Sequence, residues 1–311
     1  MSISLNKPII CPILIGRQVE VTTLYALIDQ ARSTQGQVVL ISGEAGIGKS
    51  RLVAEAKTYA TEQGFLLLQG NCFPTDRSSP YAPLLDLLRS SQAREPLTTY
   101  TANREPLTRD LALLDLDLVP LPSGGLPPLE PEQEKRRLFV ALTHFFTGVA
   151  AKQPVLLTIE DIHWSDETSL EFLYYLARHC TGHPVLILAT YRSDEAHPGL
   201  KHWLAQLDRE RLTQEIVLQG LTPIQIEAML QAILGQFKFA SDTVRFVQGE
   251  LLETITTLTE GNPFFVEEIL TSLITTGDIF YTDGHWARKH LHELHIPRSI
   301  PRTQFNNVQR T

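Results

Sequence analysis

From Gln37 onward, short runs of apolar residues alternate with stretches whose apolar positions recur every three or four residues. Residues 37–42 (QVVLIS) are β-branched and apolar throughout, the pattern of a strand buried on both faces. Residues 65–69, 154–159 and 184–190 read the same way, and 215–218 reads as a last, short strand. Helical periods separate them, over residues 49–63, 84–91, 133–151, 169–180 and 200–207. Uniformly apolar strands alternating with helices predict a parallel sheet covered on both faces. After Gly220 the strand signal stops. Thr222-Pro223 reads as an N-cap followed by proline at the first helical position, opening a helix to about Leu234. Further helices are expected over residues 242–258 and 263–275, and 280–286 reads as a hairpin turning at Asp283-Gly284. The expected division is an α/β core over residues 1–220, a smaller helical unit with a terminal hairpin over 221–300, and a truncated or disordered tail over 301–311. Prolines and glycines crowd residues 118–131, which reads as a loop or internal linker.

The turn after the first strand carries the chemistry. Gly43, Glu44, Ala45, Gly46, Ile47, Gly48, Lys49 and Ser50 fit GxxxxGK[ST] between a buried strand and a helix. The glycines let backbone N–H groups curl around phosphate oxygens. Lys49 places a positive charge on the β- and γ-phosphates, and the Ser50 hydroxyl is a hard oxygen ligand suited to Mg²⁺. The helix that follows aims its N-terminus at the anion. The pattern points to ATP with Mg²⁺.

The strand at 154–159 runs into Glu160-Asp161. Alone this is a weak signal. Downstream of a phosphate loop it matches the strand that delivers carboxylates to the metal and the attacking water, and it is expected beside the phosphate-loop strand. Glu160 is assigned to the Mg²⁺ shell and Asp161 to the hydrolytic water, although the sequence fixes the pair and not the order. In His163-Trp164-Ser165-Asp166, Ser165 or Asp166 is a candidate helix cap; for His163 and Trp164 the alternatives are a place near the γ-phosphate and packing, of which packing is the simpler. No nucleophile elbow accompanies them, which argues against a Ser-His-Asp hydrolase. The strand at 184–190 ends in Thr190-Tyr191-Arg192. Thr190 is a candidate γ-phosphate sensor and Arg192 a candidate stabiliser of its charge, with a plain salt bridge as the alternative for Arg192.

Composition narrows the field. The 311 residues carry a formal net charge of -8, which argues against a dedicated nucleic-acid surface. Lys135-Arg136-Arg137 reads as a solvated helix face, and direct DNA binding by this chain is not expected. Cys11, Cys72 and Cys180 are odd in number and far apart, which fits a reducing, cytoplasmic setting better than a disulfide framework. No signal peptide and no membrane-spanning run is evident. His285, His290, His292 and His295 cluster in sequence, but a hairpin edge and helix face explains them more simply than a metal site. His179, Cys180 and His183 read as a helix end.

Together these stretches resemble the ATPase module of the STAND class of AAA+-related NTPases, also described as an origin-recognition-like AAA ATPase domain. The likeness is to the module of large ATP-binding LuxR-type regulators, which is also fused to bacterial nucleotide cyclases and protein kinases. Ile15-Gly16-Arg17-Gln18-Val19-Glu20 looks like the family's hGRxxE motif, residues 42–52 its P-loop with Arg51 included, residues 160–166 its ED-hHWxD box and Thr190-Tyr191-Arg192 its TxR sensor. Gly70-Asn71-Cys72-Phe73 and Pro80-Tyr81-Ala82-Pro83 resemble the segment after its second strand, and residues 260–268 its EGNPFFVEE lid motif. The resemblance covers residues 12–300. It implies an ASCE/AAA+-like P-loop NTPase fold: a five-stranded parallel core with the phosphate-loop strand central, and a helical lid. It places Gly16 and Arg17 near the adenine and brings Pro263 to it. It further implies an ATP-driven signalling switch with slow Mg²⁺-dependent hydrolysis, working through another protein or a C-terminal output domain, with a possible nucleotide-dependent oligomer. The competing readings are a nucleotide-binding scaffold without turnover and a small-molecule phosphotransferase. No acceptor-binding motif supports the latter.

Overall fold

A computed structural model describes residues 9–33, 35–90, 130–235, 249–282 and 285–289, together with residues 93, 96, 98 and 247. Residues 118–129 of the proline-rich span, the tail at 301–311, the Asp283-Gly284 turn and three of the clustered histidines (His290, His292 and His295) lie outside them. Two compact units are present. One holds Val19–Glu44 and Lys49–Val217; the other holds Met1–Gln18, Ala45–Gly48 and Leu218–Thr311.

The larger unit is a parallel sheet with helices. In chain order its elements are α1 (Gln18–Arg32), β1 (Gln37–Ser42), α2 (Lys49–Glu62), β2 (Leu66–Asn71), α3 (Ala82–Arg89), α4 (Pro131–Ala150), β3 (Val155–Glu160), α5 (Glu167–His179), β4 (Val185–Tyr191), α6 (Pro198–Arg209) and β5 (Thr213–Val217). The five strands lie in the order β2-β3-β4-β1-β5, and each pairing is parallel. β4 is buried at all seven positions, as its unbroken apolar run requires of a strand covered on both faces. β5 is an edge strand, and Gln214 and Glu215 are exposed. That exposure explains why its sequence signal is short and starts late. Phe145, Phe146 and Phe172 are fully buried in the core.

Two expectations about the sheet need correction. The middle position belongs to β4, while β1 is the fourth strand of five. β3 also does not lie beside β1: both edges of β1 are already hydrogen-bonded, by β4 on one side and β5 on the other. The carboxylates at the end of β3 therefore stand two strand spacings from the phosphate-loop strand, about 10 Å. That gap leaves room for a phosphate chain and its ion between them.

The smaller unit is mostly helical: α7 (Pro223–Leu234), α8 (Glu250–Thr259) and α9 (Pro263–Thr275), then the hairpin of β6 (Ile279–Thr282) and β7 (His285–Arg288). Thr222 caps α7 through a reciprocal pair of bonds with Gln225, with Pro223 in the first turn, as the sequence predicts. α9 also begins and ends where expected. This unit has its own core, in which Ile226, Leu230, Leu251, Ile255, Leu270 and Trp286 are buried. Among the described residues no helix is long and apolar enough to cross a membrane.

Candidate functional site

The site begins where β1 gives way to the glycine-rich turn. Gly43, Gly46 and Gly48 have φ of 147°, 77° and 105°, a backbone region open to glycine and costly for other residues. Gly46 is constrained by space as well. A Cβ there would come within 2.7 Å of the Phe264 Cβ and 2.9 Å of the Asn262 Oδ1.

In the smaller unit the turn's carbonyls are taken up by three donors. Asn262 Nδ2 donates to the Ala45 carbonyl at 2.8 Å, and the Phe264 amide donates to that of Gly46 at 3.3 Å. Arg17, which is buried, donates to the Ile47 carbonyl at 3.1 Å. Asn262 does double duty: its Oδ1 also caps α9 by accepting from the Phe264 amide. Gly16, with φ of 68°, is packed against Gln225. Pro263 is the first residue of α9 and is half-buried.

In the larger unit, Lys49 opens α2 and is 7% exposed. Its ammonium donates to the Gly43 and Glu44 carbonyls, both at 2.8 Å. Burial pushes its pKa below the ordinary lysine range, and the Asp161 carboxylate offsets part of that; Arg192 acts with burial, Asp194 and Glu195 against it. Lys49 is therefore the electrostatic meeting point of groups carried by the ends of β3 and β4. Ser50 follows on the exposed side of the first turn of α2, beside the half-buried Arg51.

The carboxylates of β3 diverge. Glu160 is the last residue of the strand and turns toward Lys57 of α2, at 3.9 Å. Lys57 is itself held by Gln69 of β2 at 2.7 Å. Asp161 adopts a left-handed conformation, φ 60° and ψ 44°, and its side chain is 40% exposed. Its amide donates to the Thr190 hydroxyl at 2.9 Å. Thr190, buried at the end of β4, thus fixes the backbone at Asp161. Arg192 is drawn into an ion pair with Glu195, three residues on, at 2.5 Å. That is the salt bridge held open as the alternative for this residue.

His163 is wholly buried, in the short 3-10 turn after Asp161. Its Nδ1 lies 3.8 Å from Asp161 Oδ1 and its Nε2 lies 3.6 Å from Glu195 Oε2. Burial holds its pKa below the usual histidine value, against the pull of those two carboxylates. Arg77 braces the turn, donating to the His163 carbonyl at 3.1 Å and lying 4.8 Å over the Trp164 ring. Asp166, not Ser165, caps α5, accepting from the Ser169 amide.

The larger unit thus brings Lys49, Asp161, Thr190 and Arg192 together at the C-terminal ends of the strands, where ligands of open parallel sheets bind. Glu195, Arg77 and the clasp role of Asn262 do not emerge from sequence reasoning. For Glu195 a faint signal exists, an acid three residues after an arginine; for Asn262 it is an asparagine before a proline-led helix. For Arg77 there is none. The residues present suit Mg²⁺ with a phosphate chain: an exposed hydroxyl at Ser50, the Glu160 carboxylate with Lys57 at 3.9 Å beside it, and a lysine whose ammonium donates to loop carbonyls. Among the described residues no cluster of three or more His, Cys, Asp or Glu side chains forms a metal site.

Residues 13–188 match the AAA ATPase domain family. An uncharacterized protein of Rhizobium meliloti is 30% identical over 267 residues, covering 82% of this chain and 24% of its own length. The chain thus spans about a quarter of the curated relative it matches. Among solved structures, Cdc6p of Pyrobaculum aerophilum superposes with a TM-score of 0.51 and 14% identity, covering 87% of this chain and 64% of that one. The ORC2 protein of Aeropyrum pernix, solved as ADPNP and ADP complexes, gives 0.50 and 13%, covering 88% and 66%. At such identities the likeness is one of fold: the α/β P-loop architecture of origin-recognition-type AAA+ proteins.

Proposed function

The chain belongs to the AAA ATPase domain family, and from that premise we propose that it is a nucleotide switch that binds ATP and hydrolyses it slowly with Mg²⁺. The observation that carries this reading is the buried Lys49 at the head of α2, its ammonium held by the Gly43 and Glu44 carbonyls and within electrostatic reach of Asp161 and Arg192 from the ends of two other strands. In this reading Lys49 and the loop amides from Gly43 to Ser50 hold the phosphates. Asp161 orients and deprotonates the attacking water, at a position set by the Thr190 hydroxyl. Arg192 leaves Glu195 to stabilise charge on the transferred phosphoryl group. Ser50 and Glu160 would hold Mg²⁺, which supplies charge neutralisation at the phosphate oxygens. By the family resemblance, Gly16, Arg17 and Pro263 are assigned to the base of the nucleotide and Arg51 to its phosphates. The helical unit serves as a lid whose position answers to the γ-phosphate, and the output runs through another protein or a further domain, as in STAND-type signalling ATPases. A nucleotide-dependent oligomer belongs to the same proposal.

A second reading, a nucleotide-holding scaffold without turnover, draws support from Arg192 being paired with Glu195 and Lys49 with loop carbonyls. Steady-state hydrolysis and equilibrium ATP binding of the wild type, Lys49→Ala and Asp161→Asn separate the two. A switch turns over in the wild type alone, and loses binding mainly in Lys49→Ala. Tight wild-type binding with turnover no greater than that of Asp161→Asn would establish the scaffold.

A further inference from the structure

His163 has a fully buried imidazole in a setting that packing alone does not require. A neutral ring carries one N–H and one lone pair. Here two carboxylates face it, Asp161 at Nδ1 and Glu195 at Nε2, and neither nitrogen has a hydrogen-bond partner at closer range among the described residues. One proton serves two acceptors, so the ring satisfies only one of them at a time. The choice is set by Glu195, because Glu195 has a competing cation. Arg192 pairs with the other oxygen of Glu195, Oε1, at 2.5 Å; its charge weakens Oε2 as an acceptor, which favours the ring proton on Nδ1, toward Asp161. Once Arg192 is withdrawn, Glu195 is left as a half-buried carboxylate without its cation, and the proton is better placed on Nε2. The Nδ1 lone pair then faces Asp161, and the Asp161 oxygen is free to hold water.

We propose that His163 is a positioning residue that links the pairing state of Arg192 to the readiness of Asp161, through the side of the ring that bears its proton. The proposal rests on the hydrolytic reading above and deepens it. The ring is neutral before and after: Asp161, 40% exposed, takes the proton from Nδ1 and passes it to water, and Glu195, 31% exposed, relays one from water to Nε2, with no net gain. The linkage runs Arg192–Glu195–His163–Asp161 and lies wholly within the larger unit. It gives the site a way to keep its water-orienting acid engaged until a triphosphate claims the arginine. The neutral state fits the lowered pKa of the ring, in which burial outweighs the two carboxylates and Arg192 and Lys49 add to the lowering.

Two measurements test this. The first compares steady-state hydrolysis and ATP affinity in the wild type, His163→Leu and His163→Asn, beside Asp161→Asn. Leucine fills the space without polar atoms, whereas the asparagine amide stands near where Nδ1 stands. Turnover is expected to fall at least about tenfold in His163→Leu, with ATP affinity within about twofold of wild type, and to recover in part in His163→Asn. Wild-type turnover in His163→Leu overturns the proposal, as does an equal loss in both variants. The second uses ¹⁵N spectra of the imidazole with ADP and with a non-hydrolysable ATP analogue, and needs no turnover. The protonated nitrogen is expected to be Nδ1 with ADP and Nε2 with the analogue, and an unchanged tautomer overturns the proposal. If wild type and Asp161→Asn hydrolyse equally, the hydrolytic reading fails on its own count, while the spectra still decide whether the ring follows Arg192.

Discussion

Replacing Asn262 separates two tasks that one carboxamide performs. Its Oδ1 accepts from the Phe264 amide and caps α9, while its Nδ2 donates to the Ala45 carbonyl. Asn262→Ala removes both. Loss of the cap costs about 1 kcal/mol. The bond to Ala45, a residue exposed as a whole, adds about 1 kcal/mol. The expected destabilisation of the smaller unit is therefore about 2 kcal/mol. Asn262→Asp keeps the cap acceptor and adds a negative charge that a helix N-terminus favours, which offsets the carboxylate oxygen it turns toward the Ala45 carbonyl, so it should cost about half as much. Urea titration followed by hydrogen exchange in peptides spanning α9 reads this unit by itself. The reasoning is wrong if Asn262→Asp is as destabilised as Asn262→Ala, or if neither departs from wild type by more than about 0.5 kcal/mol.

Three further outcomes are expected. Thr190→Val keeps the shape of a buried strand position but strips the acceptor from the Asp161 amide, so stability should drop by about 1–3 kcal/mol and turnover should fall with it; wild-type melting and kinetics together would contradict the placement. All three cysteines are buried, and burial holds the Cys72 thiol well above its ordinary range and pushes that of Cys180 up to about 12, so a thiol reagent should label none in the native protein and three in denaturant. His163 and His197 have folded pKa values below the ordinary one, chiefly through burial, with Asp161 and Glu195 opposing it at His163, Arg77 reinforcing it at His197 and Glu167 opposing it there. Below about pH 6.5 the unfolded chain takes up protons that the folded one refuses, so these groups lower the urea midpoint as pH falls from there and leave it flat above pH 7; His163→Gln should shallow that slope.

Legibility from sequence followed burial. The strands β1, β3 and β4 are apolar at nearly every position, and their limits fall within a residue or so of expectation. β5 is an edge strand whose outward residues are polar, so its first half carries no apolar signal. α1 goes unread, because the hGRxxE pattern at its start draws attention to a motif and its burial is confined to Leu24, Leu27, Ile28 and Ala31. The phosphate loop is legible because its chemistry is contiguous. What stayed hidden is what the chain assembles from a distance: the order of the strands, the turn of Glu160 toward Lys57, and the tie between His163 and Glu195. Local patterning says which face of an element is buried, but not which neighbour it is buried against.

The position of β1 between β4 and β5 also sets an order of events during synthesis. The strand that carries the phosphate loop is made early, yet both its partners lie on the order of 150 residues or more downstream. A growing chain that stops short of β4 has the whole glycine-rich segment in hand and no frame to hold it. At ribosomal speeds of roughly 5–20 residues per second, that interval lasts many seconds. Through it the apolar edges of β1 stand open, and the nascent segment has more need of a chaperone than of a nucleotide. Competence for ATP should therefore arrive late and abruptly, when β5 has cleared the exit tunnel.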